Sequence, residues 1–209
     1  MLFYDCSTAP SPRRARMFIA EKGIEIESKE VSMLKGEQLK PEFTAINPRA
    51  TIPVLVTEEG STLTENLAIA TYLEERFPDR PLMGTTADEK ATIINWNVIC
   101  ETQGGQAIAE AFRNSNPHMK GRALTGQVNF EQIPELAERA MLRVDLFFNL
   151  LNDRLGEAKF VAGDRFSMAD ITAFVFVDFA RVVKKRVSEE HLNLLAWYEA
   201  MKVRPSAEA

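Results

Sequence analysis

Ser7, Thr8 and Ser11 put three hydroxyls within five residues, immediately ahead of a segment that reads as a helix. A hydroxyl at the amino end of a helix is suited to an anion, because free N–H groups and the positive end of the helix dipole lie beside it. Tyr4 brings a fourth hydroxyl to the same stretch. A second such place opens at Glu65-Asn66, where a helix-forming run follows a strand signal and its first turn offers a seat for a carboxylate. Gln38, Lys40 and Arg49 add an amide and two cations that suit a further carboxylate. Each has a plain structural alternative: Ser11 as a simple N-cap, Glu65-Asn66 as ordinary helix capping, and Lys40 and Arg49 as solvated charges.

Other chemistry finds less support. Cys6 stands five residues before Ser11 without a C-x-x-C partner, so it reads as a packed or partly exposed thiol, with a redox role as the alternative. Cys100 falls inside a helical stretch and reads as core. Two cysteines are too few for a disulfide framework and fit a reducing compartment, so a cytoplasmic location is expected. His118 and His191 lie far apart with no neighbouring ligand pair, and no metal site is expected. A net charge of −5 and a pI near 5.3 argue against a nucleic-acid partner. No basic segment with a long apolar run opens the chain, and no stretch approaches the roughly 20 apolar residues that span a bilayer, so neither a signal peptide nor a membrane partner is expected.

The elements that must position these groups fall into two parts. Leu2-Phe3-Tyr4 suits a buried strand. Ser11 to Gly23 predicts a helix, with Ser11 as N-cap, Pro12 at the first helical position and Gly23 just past the end. Ala15, Phe18 and Ile19 share its apolar face. Ile24-Glu25-Ile26 alternates as a strand and continues towards Val31, and residues 33–47 form a polar, loosely helical crossover. Thr51 to Val56 reads as a strand, Ser61–Leu63 as a short partner, and Glu65 to Arg76 as an amphipathic helix ending before Pro78. The order β-α-β, crossover, β-β-α covers residues 1–78, a Pro-containing linker covers 79–86, and 87–209 reads as helical, with runs near 87–115, 132–156, 167–184 and 188–203. Ser167 and Asp170 form an N-capping box, with Phe166 and Ile171 as its hydrophobic staple. Arg13, Arg14 and Arg16 read as a solvated helix face, with Arg14 open to an acid inside.

Four local features taken together resemble the cytosolic glutathione S-transferase superfamily, bacterial type. They are the helix ending Ala20-Glu21-Lys22-Gly23; Asn47-Pro48-Arg49-Ala50-Thr51-Ile52-Pro53-Val54-Leu55, similar to NPxGxVPxL; Thr64-Glu65-Asn66-Leu67-Ala68-Ile69, similar to (E/Q)SxAI; and Phe166-Ser167-Met168-Ala169-Asp170-Ile171 with Trp197-Tyr198 and Arg204-Pro205. The resemblance implies an α/β plus all-α protein: a thioredoxin-like glutathione-binding domain followed by an all-helical domain, paired as a homodimer through the helix from Glu65. It also implies a cis bond before Pro53, with the main chain of Ile52 turned towards the tripeptide. Glu65 and Asn66 would hold the γ-glutamyl carboxylate, Asn66 standing where the family usually has serine. Gln38, Lys40 and Arg49 would serve the glycine end.

Glutathione as co-substrate raises the question of what makes its thiolate. A thiol of pKa about 8.5 is only about 3% ionised at pH 7, and lowering that to about 6.5 ionises roughly 75%. Two pK units are about 2.7 kcal/mol, within reach of one hydroxyl and a helix N-terminus. Where many serine-type members carry that hydroxyl, this chain has Ala9. Ser11 matches the cysteine position of bacterial beta-type members and ranks first, then Thr8 or Ser7, then Tyr4. A small hydrophobic electrophile would sit between the domains, near Trp96, Glu101, Phe112 and Arg113, with Gly104-Gly105 leaving room for a ligand or a partner backbone. Conjugation to that electrophile is the leading function. A glutathione-dependent disulfide reductase or peroxidase and a non-enzymatic binding or scaffold protein are the alternatives.

Overall fold

A computed structural model describes all 209 residues. Strand β1 (Leu2–Asp5) is followed by helix α1 (Pro10–Lys22), strand β2 (Glu27–Glu30), a 3-10 turn at Glu37–Leu39 and the short helix α2 (Pro41–Thr44). Strands β3 (Val54–Val56) and β4 (Thr62–Leu63) and helix α3 (Asn66–Arg76) complete this half. The sheet runs β2-β1-β3-β4, with β2 parallel to β1 and the other two neighbours antiparallel. Alternation along β1 sends Phe3 into the main core with Phe18, Leu55, Ile69 and Leu73. It sends Tyr4 to the other face, where Val31, Phe43 and Val54 form a second cluster beneath the crossover.

Two expectations for this half are corrected. Helix α1 begins at Pro10, with Ala9 as its N-cap and no side-chain cap, so Ser11 lies inside the first turn. Proline at the first helical position loses nothing, because that N–H has no intrahelical partner. Gly23 does close the helix in the left-handed region, at φ 68°. The second strand covers Glu27–Glu30 rather than starting at Ile24, because the Ile24 amide is bonded back to Ile19 O of the helix end. All four β2 residues are exposed and three are charged, as suits an edge strand.

The remainder is helical: α4 (Ala87–Ile99), a π-helical segment Cys100–Gly105, α5 (Gln106–Ser115), α6 (Pro134–Glu157), α7 (Met168–Phe179) and α8 (Leu192–Lys202). No helix is long and apolar enough to cross a membrane. Ser167 and Asp170 form the expected capping box at α7. Asp170 also accepts from Val161 N at 2.9 Å and Trp197 Nε1 at 3.2 Å. Burial pushes this carboxyl up to about 6, against the pull of its hydrogen bonds. The seam between the halves is polar at its rim. Arg204 clamps Glu21 through two nitrogens at 2.8 and 2.7 Å, and Arg13 pairs with Asp178, which also accepts from Tyr198 Oη at 2.8 Å. Glu74 takes the amides of Leu82 and Met83 and the Lys22 ammonium, which pins the linker to α1 and α3.

Candidate functional site

The first turn of α1 is unusual in what it offers. Pro10 and Pro12 have no N–H, and the Arg13 amide bonds to Ala9 O at 3.4 Å. Ser11, between the prolines, therefore carries the single free amide of that turn, beside its own hydroxyl. Its Oγ lies 3.0 Å from Asn66 Nδ2 and 3.4 Å from an Arg14 terminal nitrogen.

The other hydroxyls go elsewhere. Ser7 is exposed, and its amide and Oγ bond to Glu30 on the edge strand at 3.1–3.2 Å. Thr8 Oγ1 lies 3.5 Å from Cys6 Sγ. The Tyr4 ring packs edge-on to Phe43 at 5.9 Å, in the cluster under the crossover.

Helix α3 brings the second set of groups. Glu65 is its N-cap in extended geometry but makes no side-chain capping bond, because Arg49 holds its carboxylate at 2.6 Å. Arg49 also donates to Thr64 Oγ1. The α3 first-turn amides are thus left uncapped by the N-cap side chain. Asn66, the first residue of the helix, is buried and its Oδ1 has no partner. Gln38 is likewise buried with Oε1 unpartnered, whereas Lys40 is exposed at the start of α2. The Ile52–Pro53 bond is cis, and the Ile52 N–H and C=O make no hydrogen bond within the chain. Asn47 holds this loop from inside by donating to Thr51 O and Oγ1 at 2.8 and 2.9 Å while accepting the Arg49 amide.

The helical half reaches this site through Arg14. Its guanidinium pairs with Glu101 of the π-helical segment and stacks 4.8 Å over the Phe176 ring of α7. Burial holds it below its ordinary pKa, against the pull of Glu101 and Glu65. The three arginines are therefore not a solvated face. Arg14 is buried as expected for an inside pair, Arg13 is spent on Asp178, and Arg16 bonds Asp5 at 2.6 Å and the carbonyls of Cys6 and Ser7. The room expected over Gly104 and Gly105 is also filled from within, by the Phe147 ring above the first and Phe176 above the second. Of the other residues expected near an electrophile, Phe112 packs edge-on to Phe179 at 6.2 Å, Arg113 donates to Arg122 O, and Trp96 lies 5.1 Å beneath Arg154. Cys100 is fully buried, and that burial pushes its thiol far above the ordinary range.

Five buried side-chain polar atoms have no partner in the whole chain: two of them, Asn66 Oδ1 and Gln38 Oε1, are on candidate site residues, and a third, Arg14 Nε, is on the neighbour of Ser11. Residues 8–76 match the glutathione S-transferase N-terminal domain and residues 134–200 the C-terminal domain. Glutathione S-transferase 2 of Saccharomyces cerevisiae is 34% identical over 208 residues, covering 99% of this chain and 87% of that one. The chain belongs to the glutathione S-transferase family. The crystal structure of Gtt2 from S. cerevisiae superimposes with a TM-score of 0.90 at 33% identity, covering 100% of this chain and 99% of that one. A class Gtt2 glutathione S-transferase of Vibrio parahaemolyticus gives 0.84 at 30% identity, covering 99% and 95%. In this glutathione S-transferase family member the sequence reading missed Arg14 as a neighbour of Ser11. The Pro10-Ser11-Pro12 pattern, which leaves one amide free, was open to be read.

Proposed function

We propose that this protein binds glutathione at residues 1–78 and conjugates its thiolate to small apolar electrophiles held against the helical residues 87–209. The observation that carries the reading is that Asn66 and Arg14, which meet at Ser11, each keep an unpartnered buried atom, as does Gln38, while the Ile52 main chain is unbonded. Buried polar groups in folded proteins are almost always hydrogen-bonded, so a cluster of exceptions points to a ligand. A γ-glutamyl peptide has the matching groups. Its main chain pairs with Ile52, ahead of Pro53, as an added strand does. Its γ-glutamyl carboxylate meets the α3 first turn at Glu65-Asn66, and Gln38 and Lys40 face the glycine end. Arg49, first expected there, is instead engaged by Glu65 and Thr64 beside the γ-glutamyl seat. The sulfur then lies at the first turn of α1, where the Ser11 hydroxyl and amide hold it as thiolate. Thr8 and Ser7 are spent on Cys6 and Glu30. Proximity supplies the rest of the rate.

Conjugation is preferred to disulfide or hydroperoxide reduction because both of the chain's thiols, Cys6 and Cys100, are buried. A homodimer forms in this reading around the groove of about 680 Å³ between β4 and α3, lined by Leu63, Leu67, Thr71 and Tyr72. Two free, buried cysteines suit a reducing cytoplasm. The test is kinetic. Purified protein should conjugate an activated aryl halide with saturable dependence on glutathione, and Ser11→Ala should lower kcat by about 10–100-fold with a small change in KM. Hydroperoxide turnover exceeding aryl conjugation would select the reductase, and absence of glutathione binding in calorimetry would select a scaffold.

A further inference from the structure

A serine hydroxyl has one hydrogen to donate and two lone pairs to accept with. Around Ser11 Oγ the neighbours are Asn66 Nδ2 at 3.0 Å and Arg14 at 3.4 Å, and both are donors. Arginine has no acceptor at all, and an amide nitrogen has none either. The two lone pairs are thus engaged from inside the protein, and the hydroxyl hydrogen is left for a third partner.

Arg14 cannot easily leave this position, being paired with Glu101 on one side and stacked on Phe176 on the other. Asn66 is different, because an amide can turn over. With Oδ1 towards Ser11 it would take the hydroxyl hydrogen for itself. In the observed orientation Oδ1 points away into a buried site with no donor. A ligand ammonium is the group that fits there, and a γ-glutamyl group carries one beside its carboxylate.

We propose that Asn66 and Arg14 are positioning residues that fix Ser11 as a donor, and that the γ-glutamyl ammonium sets the Asn66 amide by bonding to Oδ1. Filling the γ-glutamyl seat and presenting a proton donor to the sulfur then become one event. The inference rests on the reading of Ser11 as the thiolate's donor. The charged group touching Ser11 is Arg14 on its own helix, and the charges acting on Arg14 are Glu101 from the π-helical segment and Glu65, paired to Arg49, ahead of α3.

The probe is glutathione against its analogue lacking the γ-glutamyl amino group, each bound at saturation, with thiol ionisation followed by thiolate absorbance. In the wild-type protein the analogue's thiol should titrate about one unit higher, a tenfold lower thiolate-to-thiol ratio at a given pH. In Ser11→Ala, glutathione's own thiol should rise by a similar amount and the difference between the two ligands should vanish. Equal pKa values for the two ligands in the wild type, or a difference that persists undiminished in Ser11→Ala, overturn the positioning role. Should Ser11→Ala leave bound glutathione unmoved, the thiolate reading of Ser11 falls first and takes the inference with it. A second measurement needs no ligand: the Ser11→Cys thiol, titrated by its alkylation rate, should rise by about one unit when Asn66→Leu is added, and no rise contradicts the proposal.

Discussion

Two helices of this protein begin at buried polar residues and treat them in opposite ways. At α7, the Ser167–Asp170 box is closed, and the Asp170 carboxylate accepts from Val161 N, Ser167 N, Ser167 Oγ and Trp197 Nε1. At α3, the N-cap carboxylate of Glu65 is drawn away by Arg49, the first-turn amides are uncapped by it, and Asn66 Oδ1 has no partner. The same local device, a helix start under a polar side chain, serves the fold in one place and a ligand in the other. What separates them is whether the chain satisfies its own donors and acceptors.

The largest effect should come from breaking the satisfied end. Asp170→Ala leaves several buried donors unpaired and should cost about 3–5 kcal/mol in denaturant unfolding. The glutathione affinity of the folded fraction should stay the same. A loss under about 1 kcal/mol would mean that the α7 end does not hold the helical half together. Next comes Gly105→Ala, which drives a methyl into the Phe176 ring that carries Arg14. A cost of about 1–3 kcal/mol is expected, with a fall in kcat larger than a stability loss alone explains. An unchanged kcat at full folding would separate the Phe176 stack from the site.

Acid should sharpen the same contrast. Asp170 sits above its unfolded value, so its contribution to stability is greatest at low pH and falls as pH rises from about 4 to about 6. For Glu21, hydrogen bonds from Arg204 and Ser206 outweigh the upward push of burial and leave the carboxyl low. Asp178 is held low in the same way by Tyr198 and Arg13. Those two contributions are full above about pH 5 and are lost as pH falls further. The urea midpoint should rise modestly as pH falls from about 7 to about 5, where folded Asp170 takes up its proton, and drop below about 4, with Arg204→Ala flattening the drop. The smallest effect belongs to Ala50, which holds φ 54° where the family motif has glycine. Ala50→Gly should stabilise by no more than about 1 kcal/mol, relief of the left-handed strain being offset by backbone entropy and a lost buried methyl. A clear destabilisation would show that the methyl's packing dominates.

Much of this was legible in the residues. Prolines, glycines and the capping box marked helix ends because each acts locally: Gly23 in the left-handed region and Ser167-Asp170 at α7 are properties of a few neighbouring side chains. The helix opening at Glu65-Asn66 was likewise read from its residues, whereas the cis bond at Ile52–Pro53 was read from resemblance, and the structure has both. What escaped were partners distant in sequence. Arg13 and Asp178 are separated by 165 residues and Arg14 and Glu101 by 87, and no local pattern shows that a row of arginines will each find a separate acid. Ser11 was misread as an N-cap because serine and proline both favour the helix start, and two prolines leave the frame ambiguous by two residues.

The comparison of α3 with α7 is tested most directly by thermal unfolding of Asn66→Ala with and without saturating glutathione. Without ligand its melting temperature should match the wild type within a few degrees, because Asn66 is incompletely satisfied in the chain alone. With glutathione present the wild type should rise, and the variant should lose most of that rise as its affinity falls by about 10–100-fold. A variant that melts far lower without ligand yet keeps the full glutathione-induced shift would show that Asn66 serves the fold, as Asp170 does, and that the unsatisfied end of α3 is not the seat.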